Sequence, residues 1–118
     1  MNTYSIAIHG GAGTLVKGMM TPEKETAYKQ ALQKALDAGY AILKNGGTAV
    51  NAVQVAVKAL EDSHLFNAGK GAVFTATETH EMDASIMDGE NLEAGAVSLI
   101  TGIKNPISLA RDVMEKSE

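Results

Sequence analysis

Phe66-Asn67-Ala68-Gly69-Lys70-Gly71-Ala72-Val73-Phe74 and, near the start, Ile8-His9-Gly10-Gly11-Ala12-Gly13 decide how this chain reads. Each is a glycine-rich corner beside a short apolar run. Glycine turns the chain where a side chain would not fit. Outward from the first corner, Tyr4 to Ile8 is rich in β-formers and predicts a buried strand. His9 to Thr21 is a loop. Thr21 predicts an N-cap, with Pro22 at the first helical position and Glu23 and Glu25 at the positive end of the helix dipole. Tyr28, Leu32, Leu36 and Leu43 recur at near-helical spacing, so a helix runs from about 22 to 44 until Asn45-Gly46-Gly47 stops it.

A second helix is expected from about Thr48 to Asp62. Val50, Val53, Val57 and Leu60 form its stripe, and Ala49, Ala52, Ala56 and Ala59 broaden it and allow close approach of another element. Beyond the second corner, Val73 to Thr77 and Met82 to Met87 read as strands. Asp88-Gly89 is a turn dipeptide, and Ala94 to Thr101 is a third apolar run, so residues 82–101 predict a hairpin with a long loop. Asn105 caps and Pro106 opens a last helix with Ile107, Leu109, Ala110, Val113 and Met114 on its apolar face. The expected order is β-α-α-β-β-β-α. Two successive helices followed by strands argue for an α+β fold with segregated layers. The strands are too few for two sheets and their edges would be open. The chain therefore reads as a single, incomplete domain over residues 1–118, part of a sandwich whose other strands come from elsewhere.

Composition narrows the function. The chain has 118 residues, 45% of them apolar, and a formal net charge of −4. Such a chain folds, although at this length about two-thirds of its unfolded surface is covered at best. Lys and Arg are scattered without a basic stripe, and only 4% of residues are aromatic. Nucleic acid is not an expected partner. There is no cysteine, so no disulfide, zinc-thiolate site or cysteine nucleophile is available, which fits a cytoplasmic setting. No secretory signal is expected. No apolar run approaches the roughly 20 residues that cross a bilayer, so no membrane partner is expected.

Four motifs bear on chemistry. HGGAG is neither of the phosphate-loop patterns, and no helix follows it directly, so a nucleotide site is the poorer reading. A lone His9 after a strand is ordinarily a satisfied structural residue. Glu61 and Asp62 end the second helix, where the unpaired carbonyls already carry negative charge. A bound cation would resolve that conflict, and so would simple solvation of both acids. The loop Ser63 to Lys70 lacks the spaced carboxylates of a calcium site, which leaves a carbonyl-lined site for a weakly charged ion. Asp83 and Asp88 flank a strand, but without a second group of matching logic the hairpin reading is preferred over an acid–base pair.

The strand ending in HGGAG, the helix pair, LEDSHLFNAGKGAVF, EMDASIMDG, LEAGAV and NPISLARDVMEKS occur in an order that resembles the plant-type L-asparaginase/isoaspartyl aminopeptidase family. The resemblance is to the amino-terminal part of the α-subunit and spans essentially the whole chain. It implies an αββα sandwich of the N-terminal-nucleophile hydrolase type, built from two subunits cut from one precursor and assembled as (αβ)2. It implies hydrolysis of L-asparagine and β-aspartyl dipeptides by a threonine freed by autocleavage, with its own α-amino group as base. That threonine belongs to a downstream β-subunit, so no catalytic residue is expected here. The supporting parts are His9, Gly10 and Gly11, whose conformation is linked to autocleavage, and Asn67, which helps place the nucleophile. The family's sodium loop would use main-chain carbonyls at Leu60, Glu61, Ser63, Phe66, Ala68 and Lys70, and no organic cofactor. Gly47-Thr48 resembles a cleavage pair, but Thr48 as an N-cap explains it fully. A non-catalytic fragment or oligomerising half-domain of the same fold is the alternative, and a small nucleotide-binding domain a poorer one.

Overall fold

A computed structural model describes residues 3–11, 21–66 and 81–117. Within them lie α1 (Pro22–Lys44), α2 (Ala49–Glu61), β1 (Met82–Met87), β2 (Ala94–Ile100) and α3 (Pro106–Lys116). The expected strand Val73–Thr77 lies outside the described residues.

Both long helices begin as their sequences dictate. The Thr21 side chain accepts from the Lys24 N–H at 3.1 Å, and Thr48 does the same for Asn51 at 3.1 Å. Each satisfies one of the donors that a helix start leaves unpaired. α1 stops in a two-bond C-terminal motif, in which Gly47 N–H reaches the Ile42 carbonyl at 2.8 Å and Gly46 N–H the Leu43 carbonyl at 3.1 Å. Gly46 carries the positive φ, +83°, that this motif requires. The pair then packs closely. An added Cβ on Gly39 of α1 would lie 3.0 Å from the Ala52 carbonyl and 3.3 Å from the Ala56 Cβ. Ala52 and Ala56 are buried, so small residues set the approach, as the alanine pattern predicts. Val53 instead remains 39% exposed, because this face of α2 has no neighbour among the described residues.

β1 and β2 pair antiparallel, with Ile86 opposite Gly95 and Ala84 opposite Val97. The register shifts between Met82 and Ala84. Leu99 bends there with φ 53°, and its N–H is taken by the Asp83 carboxylate at 2.8 Å. The connecting loop closes through Asp88 N–H to Glu93 O and Leu92 N–H to Asp88 O, both 2.8 Å. α3 crosses the inner face of the hairpin at Gly95. A Cβ there would meet the Ala110 carbonyl and lie 2.5 Å from the Met114 nitrogen. Val50, Ile86, Ile107, Ala110 and Met114 form the core, flanked by Val57, Ala84 and Val97. A fully buried aliphatic side chain of this kind contributes about 1.5–3 kcal/mol.

Tyr4 to Ile8 corrects one expectation. It is neither strand nor buried. Its exposure alternates, with Ile6 and Ile8 half-covered and Tyr4, Ser5 and Ala7 exposed. Tyr4 packs edge-on to Tyr40 of α1, ring centroids 5.4 Å apart. The only described sheet is the two-stranded β1–β2 pair. A buried strand is defined by its neighbours, and none of the described strands flanks this one.

Candidate functional site

The acidic end of α2 is where sequence and structure meet most directly. Glu61 is 3% exposed. Its Oε2 accepts the Ile107 N–H at 3.0 Å and its Oε1 accepts from Asn105 Nδ2 at 3.2 Å. Asn105 Nδ2 also reaches Asp62 Oδ1 at 3.1 Å, and Asp62 is exposed. Asn105 stands at the N-cap of α3 but makes no side-chain cap to its own helix. Pro106 has no N–H, so Ile107 supplies the first free donor of α3, and Ile107 is itself 3% exposed. Glu61 therefore caps α3 from another helix. The carboxylate is disfavoured by the C-terminus of α2 and favoured by the N-terminus of α3. Burial pushes the Glu61 carboxyl up from its ordinary value, opposed by the hydrogen bonds from Ile107 and Asn105. Of the two resolutions the sequence offered, solvation holds for Asp62 alone, and Glu61 finds a third.

The turn beyond α2 is also organised. Ser63 N–H donates to the Leu60 carbonyl at 3.2 Å, and Ser63 Oγ accepts the Leu65 N–H at 3.2 Å. His64 and Leu65 form a hydrogen-bonded turn. Phe66 is buried and sits edge-on to Tyr28 of α1 at 5.7 Å. An added Cβ on Gly10 would lie 3.2 Å from the Phe66 ring and 3.1 Å from Leu32. The structure thus brings Gly10 against Phe66, at the end of the 60–66 turn, and against Leu32 of α1. His9 and Gly11 are exposed, and Gly11 has φ 116°, a region open in practice to glycine. Asn67, Ala68 and Lys70 lie outside the described residues.

Neutral carbonyls at a helix C-terminus carry partial negative charge, and the nearest buried carboxylate is turned away to α3. Among the described residues no group of three or more His, Asp or Glu side chains is placed to hold a metal. Asp83 and Asp88 do not form an acid–base pair. Asp83 holds the Leu99 N–H and Asp88 Oδ1 the Glu90 N–H at 3.0 Å. Thr48 is an N-cap.

Sequence reasoning missed a polar seam between α2 and α3. Arg111 Nη1 donates to Asn51 Oδ1 at 2.5 Å and to Gln54 Oε1 at 2.6 Å, and Gln54 Nε2 donates to Ser108 at 3.1 Å. The available signal was Asn51 and Gln54, three apart in the otherwise apolar first half of the helix.

A family model described as Asparaginase matches residues 2–118. The chain belongs to that family. As an Asparaginase family member it shares the N-terminal-nucleophile type of fold, of which three helices and a two-stranded sheet are described here. It is 47% identical over 117 residues to the isoaspartyl peptidase of Salmonella typhimurium, covering 99% of this chain and 37% of that protein. It is 50% identical over 114 residues to the plant-type L-asparaginase of Thermococcus kodakarensis, covering 97% and 36%. It is 49% identical over 117 residues to the isoaspartyl peptidase/L-asparaginase of Homo sapiens, covering 99% and 36%. This Asparaginase family chain spans about a third of the length of the curated relatives it matches, and corresponds to their amino-terminal third.

Proposed function

We propose that the complete protein carrying this chain is an isoaspartyl peptidase/L-asparaginase, and that the chain supplies the amino-terminal part of its α-subunit. One observation carries the reading. About half of the positions, along nearly the whole chain, are identical to those of proteins so named. In this reading the nucleophile is a threonine in the downstream β-subunit, freed by autocleavage and assembled as (αβ)2. Its hydroxyl attacks the side-chain amide of L-asparagine, or the β-aspartyl bond of a dipeptide. The amine leaves, and water resolves the resulting ester to aspartate.

This chain's contribution is support. His9, Gly10, Gly11 and Asn67 shape the surroundings of the cleavage region. Leu60, Glu61, Ser63, Phe66, Ala68 and Lys70 would hold a sodium ion through main-chain carbonyls, and the ion would fix the loop electrostatically. Gly10 against Phe66 supports the idea that these two groups of residues act together.

The test is expression of the complete protein, followed by amino-terminal sequencing of its fragments and assay of both substrates. A fragment beginning with threonine, with release of ammonia from L-asparagine and of the amino acid from a β-aspartyl dipeptide, is the expected result. An uncut protein that hydrolyses neither substrate overturns the reading.

A further inference from the structure

We propose that the Glu61 carboxylate is a positioning residue for the turn that follows α2. Clamped to Asn105 and to the start of α3, it fixes the backbone that carries the Glu61 and Ser63 carbonyls and so sets how tightly that turn takes a monovalent cation. The inference rests on the sodium-loop reading above and assigns a role to a side chain where that reading uses only main-chain atoms.

Three observations carry it. An acid at a helix C-terminus is disfavoured, and burying it is disfavoured again. Glu61 accepts both penalties, offset mainly by the donors of Ile107 and Asn105, with Lys58 adding a smaller attraction. Next, Asn105 gives its amide to Glu61 and Asp62 together and leaves its own helix without a side-chain cap. Exchanging Glu61 for an apolar residue of similar size would strand a buried N–H at Ile107. Finally, the Glu61–Ile107 bond joins residues 46 apart in sequence, so the clamp closes the two ends of the excursion that contains the turn and the hairpin. The charged groups beside Glu61 are Asp62 and Lys58, both from the end of α2. From α3 it meets the uncharged donors of Asn105 and Ile107.

The experiment uses the complete protein and its Glu61→Gln and Asn105→Ala variants. Melting midpoints are followed as sodium replaces tetramethylammonium at constant ionic strength, which holds screening fixed. Stabilisation grows as RT ln(1 + [Na⁺]/Kd), so the concentration at which the midpoint begins to climb reports Kd. In both variants that concentration is expected to rise by about fivefold or more, the low end of ordinary coupling between linked sites. Gly95→Ala, which strains α3 elsewhere, is the control and should lower the midpoint without moving that concentration. Asn105→Ala leaves the Glu61–Ile107 bond in place and carries the test if Glu61→Gln does not fold. Variants that melt earlier at an unchanged sodium requirement show a purely structural clamp and overturn the proposal. A wild-type protein with identical midpoints in the two salts removes the sodium reading, and the proposal with it.

Discussion

Gly95 lies under α3 so closely that even a methyl group meets helix backbone. Helix backbone, unlike the far end of a side chain, has no rotamer by which to yield. Gly95→Ala must therefore displace α3 from Ile86 and Val97, and overpacking of this kind costs about 1–3 kcal/mol. Gly89, in the hairpin turn, has nothing within 4 Å of an added Cβ. Gly89→Ala should stay within about 0.5 kcal/mol of wild type. Urea unfolding of the complete protein separates the two variants, and equal midpoints would contradict the close crossing described here. Sequence showed Gly95 as one more glycine in an apolar run. Only the placement of α3 distinguishes it from Gly89.

Helices α1 and α2 illustrate how far local signals reach. Caps, stop signal and apolar spacing act within a few residues, and both helices begin and end where those signals stand. Thr48 shows the same logic in a residue that invites a catalytic reading. Its side chain is engaged with Asn51 N–H, so Thr48→Ala should cost about 1 kcal/mol of stability, with Thr48→Ser recovering most of it. Turnover of L-asparagine by the complete protein should be unchanged in either variant. A selective loss of turnover in Thr48→Ala, without loss of stability, would reinstate the residue as a nucleophile. The first turn of α3 was less legible. Its N-cap asparagine looks self-sufficient in sequence, yet the cap that serves Ile107 comes from α2.

For 118 residues a compact domain has a radius of gyration of about 13.5 Å, whereas this chain has 15.4 Å, with a thinnest dimension of 19 Å. That is two layers of structure spread wide. Leu92 and Leu99 are 68% and 70% exposed, Met87 53%, and among the described residues the hairpin has no further strand on either edge. A two-stranded sheet is marginal without more strands or a helix to cover it, and among the described residues α3 covers one face. Expressed alone, the chain should self-associate, and adding the remainder of the protein should dissolve those assemblies. Sedimentation showing a dilute, stable monomer with cooperative melting would count against this. Under the proposed function, the chain alone should also release no ammonia from L-asparagine. Ammonia release by the isolated chain would place the nucleophile here after all.

The sequence by itself determined α1, α2 and the hairpin, because capping, turn chemistry and periodicity are local and each signal lies beside the bond it controls. It also determined the family, through blocks kept in order. Tertiary structure decided the rest. Tyr4–Ile8 is not a strand among the described residues, since a strand needs neighbours that its own residues cannot supply. Glu61 is neither solvated nor idle, because its partners stand 44 and 46 positions away. Gly10 meets Phe66 only once α1 is in place to carry them both. Those three outcomes depend on which surfaces face each other, and a chain read one residue at a time does not contain that information.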